Sequence, residues 1–76
     1  GMRLVPAGST LTVNYSPDFS AVQDVATVWV LTNGAVWAES AFRGTKDFTF
    51  RNAGLYQFTH QVLSNEIVTD EMWHFM

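Results

Sequence analysis

Val25-Ala26-Thr27-Val28-Trp29-Val30-Leu31-Thr32-Asn33-Gly34-Ala35-Val36-Trp37-Ala38-Glu39-Ser40-Ala41-Phe42 decides the architecture, because Asn33-Gly34 separates two runs rich in β-branched and aromatic residues. A two-residue type I′ turn needs positive φ at both central positions, and this dipeptide adopts it at low steric cost. The segment predicts a hairpin in which Thr32 faces Ala35, Leu31 faces Val36, Val30 faces Trp37 and Trp29 faces Ala38. Facing residues share one side of a sheet. One side then holds Val25, Thr27, Trp29, Leu31, Val36, Ala38, Ser40 and Phe42, and it is expected to be the core. The other holds Ala26, Val28, Val30, Thr32, Ala35, Trp37, Glu39 and Ala41. On that second side Val28, Val30 and Trp37 form an apolar patch whose only charged neighbour is Glu39, and a solvated face is normally more polar. Val28, Val30, Trp37 and Glu39 are therefore expected to form an interface.

The flanking sequence repeats the two-residue period. Thr10 to Tyr15 alternates, with Leu11, Val13 and Tyr15 on one face, and stops at Ser16-Pro17-Asp18. Phe19 to Asp24 reads as a loop or a single helical turn. Gly44-Thr45 reads as a turn leading into a short strand, Asp47 to Arg51, with Phe48 and Phe50 inward. Leu55 to Leu63 sets Tyr56, Phe58, His60 and Val62 on one face and Leu55, Gln57, Thr59 and Gln61 on a wetter one. Ser64-Asn65 turns the chain into a last strand, Ile67 to Phe75, whose Ile67, Thr69, Glu71, Trp73 and Phe75 are expected to align with Tyr56 and Phe58. About six or seven short strands and no long helix make the chain all-β.

Composition narrows the function classes. The 76 residues are 47% hydrophobic and only 14% charged, with no cysteine and a net charge of −3. One small domain fits, and a disulfide framework, a thiolate metal site and a cysteine nucleophile are excluded. A chain this short buries only about 60–65% of its unfolded surface, so association is expected to add stability. The acidic balance argues against nucleic acid, and no stretch is long and apolar enough for a membrane span. Gly1 ahead of Met2 reads as the remnant of a cleaved tag, which puts the domain at residues 2–76. If Met2 is the native start, no secretion signal precedes it, which leaves virion-associated and cytoplasmic settings open.

Asn52-Ala53-Gly54-Leu55-Tyr56-Gln57-Phe58 resembles the Asp-x-Gly-x-Tyr-x-Cys stretch that opens strand F of immunoglobulin-like domains, with Phe58 at the position of that family's second cysteine. Tyr56 resembles the tyrosine-corner residue. Trp29 resembles the buried strand C tryptophan, and Leu11 or Val13 falls where the first cysteine would lie. The chain departs from the family in lacking both cysteines, in having Asn52 for the acidic residue, and in being shorter than the usual ~100 residues. The resemblance implies an abbreviated antiparallel immunoglobulin-like β-sandwich. Short cysteine-free domains of this kind are accessory modules of bacterial surface proteins and of phage capsids and tails. It therefore implies a non-catalytic structural or protein-binding module.

Residues with potential chemistry are few. His60 lies mid-strand, with Thr69 expected opposite and Glu71 diagonally near, but no serine or cysteine nucleophile accompanies it, so a structural histidine is expected. His74 alternates with Met72 and Met76, a pattern that suits soft metals and that reads here as an exposed strand end. Asp70-Glu71 with Asp47 or Glu66 lacks the tight glycine turn of a calcium loop. No nucleotide, hydrolase or zinc-protease motif occurs. The expectation is no catalytic residue, no metal and no cofactor, with a second copy or another protein as partner. A small carbohydrate-binding module using Trp37 is the alternative, because sugars stack on planar aromatic rings.

Overall fold

Period-two alternation and β-branched content are realised as seven strands. The computed structural model describes residues 1–17, 25–32, 35–63 and 66–76, without the side chains of 32, 35–37, 62 and 63. The strands are β1 (Met2–Val5), β2 (Thr10–Tyr15), β3 (Ala26–Thr32), β4 (Ala35–Phe42), β5 (Gly44–Thr49), β6 (Gly54–Leu63) and β7 (Glu66–Phe75), with no helix among the described residues. The expected loop or helical turn at Phe19 to Asp24 and the turns at Asn33-Gly34 and Ser64-Asn65 lie outside the described residues. Five strands form one sheet in the order β1-β7-β6-β3-β4, and β2-β5 form a second.

The hairpin register next to Asn33-Gly34 is the expected one: Thr32 pairs Ala35, Leu31 pairs Val36, Val30 pairs Trp37 and Trp29 pairs Ala38. Beyond it the ladder slips, because Val28 pairs Ser40 and leaves Glu39 without a partner. This bulge moves Phe42 opposite Ala26 rather than Val25, onto the side of Val28.

That side is the core, so the expected assignment of the two hairpin faces is reversed. Ala26 and Val28 are fully buried, while Thr27, Trp29 and Leu31 are half-buried on the other side. The hairpin alone is apolar on both sides, and β6 decides between them. Val28 pairs Phe58 and Val30 pairs Tyr56, and these aromatic residues must face β2 and β5 to be covered. Trp29 thus does not occupy the position of a buried strand C tryptophan. The aromatic centre is Trp73 of β7, stacked on Phe58 at 5.5 Å and close to Phe48 at 5.5 Å. Leu11 and Phe48 close the core from the small sheet.

Two further corrections concern the chain ends. The sheet is mixed rather than wholly antiparallel, because β1 runs parallel to β7 with Met2 opposite Met72 and Val5 opposite Phe75. In the β6-β7 hairpin Leu63 pairs Glu66 and Phe58 pairs Glu71, as a two-residue turn requires, yet Gln61 pairs Ile67 and Thr59 pairs Thr69. Val62 and Asp70 are thus single extra residues on opposite strands, and their shifts cancel. Trp73 and Phe75 join Tyr56 on the core side as expected, whereas Ile67 and Thr69, between the bulges, turn to the opposite face.

Gly44 begins β5 rather than forming a turn before it. Its φ of 83° is left-handed, which lets the chain leave β4 and enter the second sheet after a single residue, Arg43. Tyr56 ties the approach to β6: its hydroxyl donates to the Asn52 carbonyl at 3.3 Å, and its ring stacks on Phe50 at 3.8 Å. Burial pushes the Tyr56 phenol above its ordinary value of 10.0, and the negative charge of Glu39 adds to the rise. A raised acid holds its proton longer in the folded state, so its contribution is complete below the unfolded value and is lost as pH climbs through the folded one. Thermal melts should show stability falling above about pH 10. Tyr56→Phe should remove that part of the alkaline loss at a cost of about 1 kcal/mol at neutral pH. An unchanged alkaline slope in the variant would refute the assignment.

Candidate functional site

The side of the large sheet that faces away from β2 and β5 is assembled row by row from the register. One row runs Leu4, His74, Leu55, Leu31 across β1, β7, β6 and β3; the next runs Met2, Met72, Gln57, Trp29 and reaches Ala38 of β4. Thr69, Thr59, Thr27 and Ala41 form a third row, and Ile67 pairs Gln61 beyond it. None of these residues is Asp, Glu, Lys or Arg. Leu4 is 61% exposed and Ile67 and Met2 are each 57% exposed.

The polar side chains in the middle of this face bond to one another. The Trp29 indole donates to Thr59 Oγ1 at 2.9 Å, Thr59 Oγ1 donates to the Thr27 carbonyl at 3.3 Å, and Gln57 Nε2 donates to Thr69 Oγ1 at 3.1 Å. Among the described residues Thr59 is the only buried polar one, 3% exposed, because Trp29 reaches diagonally over it. Polar groups that already have partners, as these four side chains do, lose little when water is removed.

The small sheet is the reverse. Its outer residues Thr10, Thr12, Asn14, Thr45, Asp47 and Thr49 are all exposed, with Thr10 and Thr49 hydroxyls 2.8 Å apart and Thr12 donating to Asp47 at 2.7 Å. Arg3 meets Glu71 at 3.5 Å on the core-side margin of β1 and β7, and Glu39 is exposed at its bulge.

The residues singled out from sequence separate. Val28 lies in the core, 0% exposed, and Val30 packs against it half-buried. Glu39 is outside, and the Trp37 side chain is outside the described residues. Of the residues that do form an outer apolar face, periodicity alone places Trp29 and Leu31 in the core, Leu55 on a wetter side and Met72 at an exposed strand end, and gives Leu4 no element. The usable signal was the indole of Trp29, which needs an acceptor and finds one on the adjacent strand.

His60 pairs with Asp70 rather than Thr69 or Glu71. Its Nδ1 is 2.7 and 2.9 Å from the two carboxylate oxygens, and Tyr15 stacks on the ring at 5.4 Å. The extra residue in β7 explains the exchange: it sets Val68 opposite His60 and frees Asp70 to reach the imidazole. Glu71 instead accepts from the Trp73 indole at 2.7 Å. No cavity and no cluster of three His, Cys, Asp or Glu is found among the described residues, and no described helix is long and apolar enough to cross a membrane. Comparison with known proteins finds no matching family model, curated protein or solved structure.

Proposed function

We propose that this chain is an immunoglobulin-like β-sandwich that works as a non-catalytic, self-associating structural or protein-binding module, of the kind found in phage or bacterial surface assemblies. Three features support the immunoglobulin-like reading. The order β7-β6-β3-β4 opposite β2-β5 matches strands G, F, C and C′ opposite B and E. The Tyr56 hydroxyl bonds to backbone four residues upstream, as a tyrosine corner does. Phe58 and Leu11 share the core where the family has its disulfide. Among the described residues no cleft lies beside the His60–Asp70 pair, which supports binding over catalysis.

Self-association rests on one observation, the charge-free outer face of the large sheet. Five strands at about 4.8 Å spacing, with lengths of four to ten residues at about 3.3 Å each, cover roughly 600 Å². Two such faces come to about 1,200 Å², the lower end of the range buried in specific protein interfaces. A second copy suits the face because both surfaces are uncharged, so the acidic groups of the two chains stay clear of the contact. Edge-to-edge pairing is less favoured: β1 is only four residues long and followed by Pro6, and β4 carries the Glu39 bulge.

Light scattering over a range of concentrations is expected to report a dimer or larger species at micromolar protein. Leu4→Lys with Ile67→Lys, both at positions exposed in the single chain, should weaken association about tenfold to a hundredfold while the chain stays folded, its melting temperature falling only by what the lost association contributed. Thr12→Lys on the small sheet should leave it intact. A wild-type monomer at all concentrations would overturn the reading.

A further inference from the structure

We propose that the β1-β7 margin, the edge-strand rim of the outer face assigned above to self-association, binds a soft monovalent metal ion, Cu(I), through the thioethers of Met2 and Met72 and the imidazole of His74. The chain has three methionines, and none is in the core: Met2 is 57% and Met76 60% exposed, and Met72 is half-buried. Methionine ordinarily fills irregular gaps in cores, so its exclusion from one built of Trp, Phe, Tyr and Val needs a reason. The register gathers all three around one histidine. Met2 sits directly opposite Met72 in the parallel ladder, about 4.8 Å away by strand spacing. His74 follows two residues along β7, about 6.6 Å on. Trp73 and Phe75 between them are fully buried, so alternation sends Met72, His74 and Met76 to the outer side together. The Met76 amide bonds to the Val5 carbonyl at 2.8 Å, which extends the ladder to the last residue.

The donor set selects the ion. Two neutral thioethers and one imidazole offer no carboxylate or thiolate, so Zn²⁺, Ca²⁺ and Mg²⁺ find no adequate ligands, whereas Cu(I) accepts soft sulfur donors. His74 makes no hydrogen bond among the described residues, which leaves a ring nitrogen for the metal. Methionine side chains with three rotatable bonds can converge above Leu4 and His74 without moving the backbone. The ion pair of Arg3 with Glu71 lies on the opposite side of the sheet, and the cation next to the site is the α-ammonium of Gly1, whose carbonyl accepts from the Met72 amide at 2.8 Å.

The test is transfer of Cu(I) from its coloured bicinchoninate complex, under anaerobic reducing conditions, to the full chain. About one ion per chain should be taken up, with shifts of the Met2 and Met72 methyl resonances reproduced by the redox-inert Ag(I). Met72→Leu and His74→Leu each keep the surface apolar while removing a donor, and should weaken Cu(I) binding at least about tenfold. Excess Zn²⁺ should not compete. No transfer to the wild-type chain, or undiminished transfer to the leucine variants, would overturn the site. Light scattering of the same variants reads self-association separately: leucine preserves the apolar face, so loss of copper with retention of the oligomer refers to the donors alone.

Discussion

Trp73→Ala is expected to remove a large part of the stability of the domain. Trp73 is completely buried, stacked on Phe58 and flanked by Phe48, and its indole donates to Glu71. Truncating a buried tryptophan costs about 3–5 kcal/mol through lost burial and the cavity left behind. A domain of 76 residues has roughly 4–11 kcal/mol to lose. Further loss comes from Glu71, which would keep only Arg3 at its more distant 3.5 Å. Urea titration followed by circular dichroism decides the matter: a variant midpoint within experimental error of wild type would mean that the core is centred elsewhere. Trp73→Phe retains the ring stack on Phe58 and should fall between the two.

Trp73 also illustrates what sequence periodicity reaches. Its strand, its partner Tyr56 and its inward direction follow from counting back from Ser64-Asn65, because the shifts at Val62 and Asp70 cancel before residue 71. Between those bulges the same counting sends Ile67 and Thr69 to the wrong face. A one-residue bulge inverts every side chain after it, and nothing in the composition of Glu-Ile-Val-Thr-Asp announces one. The strand Met2–Val5 is hidden for another reason. Its four residues are too few for a periodic signal, and its parallel partner lies about 70 residues away in sequence, where no turn rule applies.

The candidate face was invisible for the same reasons. Leu4 belongs to the strand that sequence did not reveal, and Ile67 to the segment whose faces exchanged. Trp29 and Leu31 were assigned inward because the hairpin is apolar on both sides. A sheet with one dry and one wet side declares itself by alternation; β3, with Val28 and Val30 on one side and Trp29 and Leu31 on the other, does not. Register with β6 resolves it, and that is tertiary information. The Met2–Met72 neighbourhood likewise exists only once the two ends of the chain are paired, whereas Met72, His74 and Met76 are legible as an alternating set.

A carboxylate inserted on each side of the large sheet in turn separates core from outer face. Val28→Glu buries an acid at a position with no exposure, beside Phe58 and without a cationic partner. The cost of an unpaired buried charge, or of protonating it, is on the order of several kcal/mol, comparable with the whole stability of the domain. The expected result is a chain without a cooperative thermal transition at neutral pH, partly rescued as acidification neutralises the new carboxyl group. Ile67→Glu sits at a position 57% exposed, so the single chain should melt within a few degrees of wild type while its self-association weakens. Had the interface lain on Val28, Val30 and Trp37, the outcomes would exchange: Val28→Glu would give a folded monomer, and Ile67→Glu would leave the oligomer untouched. Circular dichroism and light scattering on the two variants distinguish these arrangements, because folding responds to one side of the sheet and association to the other.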